Sequence, residues 1–520
     1  MGREVGRLYI WNTLAGVLGS LAAGFALLPM IGVLGAVQAL AAGNLVLGAW
    51  VARPRAGQTE GRRAWAVAVV AAVLLSAGSA GRVHLEDLYQ ARLPPGSKIL
   101  HLEEGVTSTV MVADHSDPPV RRIWIQSVWV AGTGGSHRML GHLSMLHSAA
   151  QDRAVGIAFG TGQSFASAMR HGLKRLDCVD LNRAMVEAGA RWFADWNDRL
   201  LERDGVHVTI DDGRNFLARA EPVYDAVMME PLQPWSAGAV NLYTQEFYER
   251  AAARLKPGGT ITQWMPIDDI PPELTRSVVG TLASVFPETW VYLDNFDLWI
   301  VGRAGGAPQD IATWRRRMEE PEVQAELAAI QYGDADSILA TLVVGPADVA
   351  SYVGDAPLIT DDHPFLEFVA PRTARGRWFA PNVDALLSAC HNPLEGFTEP
   401  PDAPLAAGLR GCGLASLLAR VNVAHDEGRY RAARDLALEA FLSAPMVARA
   451  AVFYRGETDF LARRLLQKGD RAGAIDVYRQ HLASGDDFAG IRRNLHLLED
   501  GATAGRDARE PSGLGDDGGS

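Results

Sequence analysis

From Leu8 to Ala52 the chain contains no Asp, Glu, Lys or Arg, a run of 45 positions. A membrane-spanning helix needs about 20 apolar residues, so the run holds two spans and a short turn near Pro29 to Gly32. It is too long for a secretory signal and lacks the short apolar core and small-residue cleavage site of one. Gly16, Ser20 and Gly24 recur every fourth residue, a spacing that lets two helices approach closely in lipid. Glycine is also common in membrane helices generally, so the spacing alone decides nothing. A third apolar stretch, Ala64 to Gly81, is shorter and alanine-rich and reads as a further span. Residues 1–81 are therefore expected to be transmembrane, in two or three spans.

A chain of 520 residues outgrows one hydrophobic core, because cores stop growing near roughly 250 to 300 residues. The net charge of −12, without any Lys/Arg-rich block, argues against a nucleic-acid partner. Cys178, Cys390 and Cys412 are odd in number and far apart, and suggest neither a disulfide framework nor a zinc site. His137, His142 and His147 recur every five residues, which scatters them around a helix, so no metal is expected.

After the membrane part, "TSTVMVAD" and "RRIWIQSVWV" read as short strands of a small β-rich unit, residues 82–140. Strands and helices then alternate over 141–305. "RAVGIAF", "RLDCVDL", "VHVTI", "YDAVMM" and "TITQWMP" are strands, "SFASAMRHG" and "TQEFYERAAARL" helices, and "KPGG" a helix stop. "TWVYLDNFDLWIVGR" reads as a closing antiparallel pair. Such alternation predicts an α/β domain with a mostly parallel sheet covered on both faces. Residues 306–372 extend that domain and 373–405 form a linker. The region 406–500 is helical, with Gly428 to Ala433 and Gly469 to Ala474 sharing one spacing at an offset of 41 residues. That pattern resembles tetratricopeptide (TPR) helix pairs, although their usual period is about 34. The Gly, Asp and Ser-rich tail, 501–520, is expected to be disordered.

In an open α/β sheet, ligands sit beyond the carboxyl ends of the strands, and four features fall there. Gly160 and Gly162 of "AFGTGQ" let the backbone approach a ligand. Asp180 ends the next strand about 20 residues on, the separation at which an acid accepts from ribose hydroxyls. Asp212 and Gly213 follow the third strand, where a carboxylate can accept from an adenine amine. Glu230 ends the fourth, followed by Pro231, Pro234 and Trp235. Each alone is equally well a turn glycine or a solvated acid. All four on successive strand ends point to a nucleoside site, and the absence of "GxxxxGK[ST]" argues against a nucleoside triphosphatase.

"KPGG" and the acid of the second strand resemble class I S-adenosylmethionine-type methyltransferases. Read in order, "GHLSMLH", "FGTG", "VDLN", "DDGRNFL", "EPLQPWSAGAVNLYTQEFY", "LKPGG" and "TDDHPFLEFVAPR" resemble spermidine synthase-like proteins. Within them the chain is similar to the bacterial group with fused N-terminal membrane helices, from Tyr9 to Arg372. The resemblance implies a small β domain before a Rossmann-like domain. It implies transfer of an aminopropyl group from decarboxylated S-adenosylmethionine to an amine, release of methylthioadenosine, and a dimer or larger assembly. It also implies that Asp180 holds the ribose, that Asp212 and Gly213 read the adenine, that His137 lies near the amine, and that Glu230 stands in the place of the catalytic aspartate.

Several positions depart from the family. Thr161 replaces the glycine-loop aspartate that holds the donor's ammonium, Gln233 replaces a second aspartate, and Ser136 and Arg138 replace a tyrosine and a glutamate. An ion pair about 4 Å apart at an effective dielectric near 20 gains ~4 kcal/mol, so each missing carboxylate weakens a diammonium by about a thousandfold. Glutamate for aspartate adds a methylene, and a shift of about 1 Å at a reacting centre lowers a rate ~100-fold. The expected activity is membrane-anchored aminopropyl transfer with Glu230 as base. The alternatives are methyl transfer from S-adenosylmethionine, and a non-catalytic scaffold that binds a nucleoside or polyamine and docks a protein partner through the TPR-like region. Arg53, Arg55, Arg62 and Arg63 would put their loop in the cytoplasm and the rest outside. The cytosolic cofactor favours the cytoplasmic face instead, with further spans expected upstream of this start.

Overall fold

The computed structural model describes residues 2–51, 65–66, 69–70, 85–105, 108–116, 119–374, 376–399, 409 and 411–499. Most of the third apolar stretch and the whole tail from 501 lie outside the described residues. The chain divides into two compact units: Met1–Thr133 with Asn182–Ala188, and Gly134–Leu181 with Gly189–Ser520.

In the first unit, helix α1 (Gly2–Ala22) runs through a π-helical turn, Ala23–Leu27, into helix α2 (Leu28–Val51). Two segments, Arg3–Leu27 and Met30–Gly48, are long and apolar enough to cross a membrane. Most of their large apolar side chains are exposed: Trp11 is 69% and Met30 79% exposed. The helix breaks at Gly32, whose φ of +68° is open to glycine at little steric cost. A side chain there would also collide with Glu104. The Glu104 carboxylate accepts from the Val33 N–H at 3.0 Å, serving one of the donors that the restarted helix leaves unpaired. Glu104 ends β1 (Lys98–Glu104) of a four-stranded antiparallel meander with β2 (Thr109–Ser116), β3 (Pro119–Ile125) and β4 (Val128–Gly132).

The second unit is built on a mixed eight-stranded sheet. Its parallel half is β7 (Val206–Ile210), β6 (Arg175–Asp180), β5 (Arg153–Ile157), β8 (Tyr224–Met229) and β9 (Leu255–Pro266), side by side in that order. Beyond β9 the sheet turns antiparallel, with β11 (Asp297–Arg303), β10 (Glu288–Asp294) and the short strand Leu342–Val344. Four of the seven strand pairs are parallel and three antiparallel, so the sheet is mixed, and the expected closing pair is β10 with β11, which lies between β9 and β10. All six residues of β8 are buried, as a strand covered on both faces requires. β7 lies at the edge, and its His207 and Val208 are exposed.

"KPGG" is not a helix stop outside the sheet: it lies inside β9, with Gly258 at φ +75°. The pairing with β8 shifts there, from Tyr224↔Leu255 to Ala226↔Thr260. The extra residues form a bulge that bends the strand's entry.

From Gly413 to Glu499 the chain forms five helices, Gly413–Asp426, Tyr430–Ser443, Ala448–Gln467, Arg471–Ala483 and Ala489–Glu499, each packed on the next. Gly428 and Gly469, at φ +72° and +80°, end the first and third, the left-handed stop that glycine supplies. Ala433 and Ala474, five residues on, are fully buried in the next helix, where a small side chain lets helices pack closely. The cysteines differ from expectation. Cys390 and Cys412 form a disulfide with Cα atoms 6.0 Å apart, and only Cys178 is free and buried. A pair 22 residues apart has no spacing signature, so the sequence carries no sign of it.

Candidate active site

Strand order reverses between β5 and β8, and the crevice at such a switch point is where open α/β sheets hold ligands. The β5 loop and the end of β8 meet there: the Glu230 N–H donates to the Ile157 carbonyl at 3.3 Å. Gly160 and Gly162 take φ of +54° and +76°, and Ala158 is also left-handed at +67°. A Cβ on Gly162 would lie 2.8 Å from the Phe159 ring, whereas one on Gly160 would meet only Glu230 Oε2, at 3.8 Å. Gly160 therefore faces Glu230 across the crevice.

Glu230 is not a solvated strand-end acid. Its side chain is 9% exposed, and the Ser164 hydroxyl, from the helix Gln163–Met169, donates to Oε1. His137 Nδ1 stands 3.5 Å from the same oxygen. The His137 ring lies 5.7 Å from that of Trp264, and the Trp264 indole N–H donates to Asp297 at 2.8 Å. One side of the crevice is thus a connected set: Ser164, Glu230, His137, Trp264, Asp297.

Burial pushes the Asp297 carboxyl up to about 6, with His137, Trp264 and Ser136 pulling against it. Burial likewise lifts Asp268 to about 7, and Asp269 beside it adds to the rise. Both carboxyls therefore give up their protons at a higher pH than a free aspartate does.

The nucleoside candidates lie at the other strand ends. Asp180 closes β6 and accepts from the Phe159 N–H at 2.7 Å, so one of its oxygens fixes the glycine loop. Asp212 caps the helix Gly213–Arg219 by accepting from the Asn215 N–H at 3.0 Å. Gly213 is needed sterically, since a Cβ would come within 2.6 Å of Ile157. Thr161 is buried, and its hydroxyl accepts from the Gln163 amide at 3.0 Å. Gln233 is also buried, and its backbone carbonyl accepts from the Ser236 N–H at 2.8 Å. A cleft of about 530 Å³ is lined by Trp235, Asp269, Pro371, Arg372 and Ala374; none of the nucleoside candidates lines it.

Sequence reasoning missed Ser164, Asn197, Trp264, Asp268 and Asp297. Asn197 donates to the carbonyls of Thr161 and Gly189, at 2.8 and 3.1 Å, and so clamps the glycine loop from below. It lies in a turned segment after the helix Arg183–Trp192, where a polar residue gives no signal in the sequence. Asp297 opens the second strand of the closing hairpin, where an acid reads as a turn residue. Among the described residues no cluster of His, Cys, Asp or Glu is arranged to hold a metal.

A parallel sheet ordered β7-β6-β5-β8-β9 with an antiparallel strand inserted at its far side is a Rossmann-like domain of the methyltransferase type, with an acid-bearing crevice at its switch point. Residues 134–293 match the family model of the spermine/spermidine synthase domain. The polyamine aminopropyltransferase 2 of Hyperthermus butylicus is 28% identical over 152 residues, 29% of this chain and 50% of its own. The polyamine aminopropyltransferase of Bacillus subtilis is 26% identical over 167 residues, 32% of this chain and 60% of its own. The chain thus spans about half to three fifths of the length of these relatives. A crystal structure of a probable spermidine synthase from Corynebacterium glutamicum aligns at TM-score 0.37 and 16% identity over 51% of this chain and 97% of its own, too loose a likeness to argue from.

Proposed function

We propose that this chain is a membrane-anchored aminopropyltransferase acting on an amine acceptor, with decarboxylated S-adenosylmethionine as donor. The observation that carries the reading is Glu230, buried at the switch point, held by Ser164 and facing both Gly160 and His137. The nucleoside would lie over Gly160, Thr161 and Gly162, its ribose against Asp180 and its adenine against Asp212 and Gly213. The amine nitrogen attacks the carbon beside the sulfonium, the carbon–sulfur bond breaks with its electron pair going to sulfur, and Glu230 takes the amine proton. Methylthioadenosine leaves.

The two carboxylates that the family has and this chain lacks have candidates for replacement. Glu230 reaches, through its extra methylene, to the glycine loop where Thr161 offers no charge. Asp297 and Asp268 supply negative charge on the His137 side, where Gln233 is neutral. An acceptor carrying a second ammonium would use them. Methyl transfer from S-adenosylmethionine is favoured by one feature: Thr161, neutral and tied to Gln163, tolerates a donor carboxylate.

The two apolar helices, with the third stretch, would form a multi-pass anchor, and the TPR-like helices a docking surface for a protein; a homodimer is also part of the reading. Because the donor nucleoside is made in the cytosol, the reading requires the catalytic part to face the cytoplasm. The loop arginines, by their count in the sequence, and the Cys390–Cys412 bridge argue for the other face. A reporter fused after Arg372 that is active only outside the cytoplasm would overturn transfer from a cytosolic donor.

The direct test supplies the full chain in detergent with decarboxylated S-adenosylmethionine and diamines, or with S-adenosylmethionine and lysate. Methylthioadenosine is expected from the first, and S-adenosylhomocysteine from the second would select methyl transfer. Neither product, with nucleoside binding retained, would leave the scaffold. Glu230→Gln should abolish turnover and leave nucleoside affinity nearly unchanged; full turnover in that variant removes Glu230 from the mechanism.

A further inference from the structure

The wall beside Glu230 is braced from the C-terminal helices. Asp294 ends β10 and pairs across a two-residue turn with Asp297, the first residue of β11. Asn295 in that turn takes φ +50°. Asp294 is 4% exposed, and a carboxylate so buried needs strong partners. It has two. The Tyr332 hydroxyl donates to Oδ2 at 2.6 Å, and Arg449, at the start of the helix Ala448–Gln467, donates from Nη2 to both oxygens.

Arg449 is itself fixed. Its guanidinium lies over the rings of Tyr332 and Phe453, at 4.3 and 4.9 Å, and its backbone N–H donates to Ser337 at 3.0 Å. The turn it grips touches the crevice from two sides. Phe296 accepts from the Ile267 N–H at 3.0 Å, which ties the turn to the segment bearing Asp268. Asp297 accepts from Trp264, the ring neighbour of His137.

We propose that Arg449 is a positioning residue for the acceptor side of the site: through Asp294 it sets the β10–β11 turn, and with it the Asp297 and Trp264 wall that faces His137 and Glu230. The inference rests on the proposed transfer reaction for its kinetic consequence, but its structural content stands apart from it. It gives the C-terminal helices a part in the chemistry besides any docking.

The test uses the full chain in detergent, with Arg449→Met and Arg449→Lys, decarboxylated S-adenosylmethionine as donor and 1,4-diaminobutane as acceptor. Arg449→Met should raise the KM for the diamine about tenfold or more, as displacement by a fraction of an ångström does, with kcat changed less and nucleoside affinity unchanged. Arg449→Lys should recover part of the loss. Amide exchange in residues 264–269 and 292–298 should quicken in Arg449→Met. If that variant does not fold, Tyr332→Phe, which removes only the hydroxyl on Asp294, should move KM and exchange in the same direction by less.

An unchanged diamine KM with unchanged exchange in both segments overturns the proposal. So does a loss of nucleoside affinity in step with KM and with exchange quickened throughout, which would mark general loss of stability. If the unaltered chain transfers nothing, the transfer reading fails, and exchange alone decides the positioning: quickened in the two segments with nucleoside affinity retained upholds it, unchanged overturns it.

Discussion

His137 Nδ1 and Glu230 Oε1 stand 3.5 Å apart, with the two side chains 10% and 9% exposed. On the proposed reading Glu230, once protonated in so closed a place, needs a route to return the proton, and the imidazole beside it can carry one. His137→Gln keeps the size and a hydrogen-bonding end but cannot relay the proton. Turnover should fall by at least about tenfold, towards the ~100-fold typical of a lost acid–base group. Steady-state kinetics with nucleoside affinity as control checks this; an unchanged kcat would leave Glu230 acting alone.

Ser164 holds the other approach to the same oxygen. Ser164→Ala frees Glu230 to rotate, and turnover should drop about tenfold through lost orientation. Stability should change by only about 1 kcal/mol, the worth of an ordinary hydrogen bond. A denaturation curve beside a rate measurement separates the two effects.

Gly213 has no room for a methyl group, since Ile157 Cγ2 would lie 2.6 Å from it. Gly213→Ala should destabilise the domain by about 1 to 3 kcal/mol, as overpacking does. It should also weaken nucleoside binding, because Asp212 moves with the helix start. Urea midpoints and calorimetric titration with methylthioadenosine measure the two outcomes.

Asp268 and Asp297 titrate near 7 and 6 in the fold, above the 3.8 of a free aspartate. The folded state therefore binds these protons more tightly than the unfolded chain, and stability falls as pH climbs from about 4 through 7. Asp268→Asn should lose less stability than the unaltered chain between pH 5 and 8, by on the order of 2 kcal/mol. Affinity for a diammonium runs the other way and should rise through pH 6 to 7 as the carboxylates ionise. Urea midpoints at the two pH values, and diamine titrations across the same range, test both signs.

Much of the α/β order was legible because each strand of the parallel half is a short apolar run with a turn or helix signal behind it. Glu230, Asp180 and Asp212 stood out because each ends such a run. What stayed hidden is what tertiary pairing creates. Nothing in "DNFDLW" distinguishes Asp297, at the site, from Asp294, on a remote arginine; the two face different partners only once β11 is inserted beside β9. Ser164 is one of several small polar residues in its helix until β8 brings Glu230 against it. "KPGG" reads as punctuation because two glycines usually end a helix, whereas here a bulge absorbs them.

The bridge between Cys390 and Cys412 makes the chain a gauge of its own surroundings. The cytosol keeps such thiols reduced, so an alkylating reagent added at lysis would label both residues if the domain matures there. If it matures beyond the membrane, both would escape labelling until a reductant is added. The mass of one peptide pair would then say which pool of metabolites the crevice can draw on, before any substrate is tried.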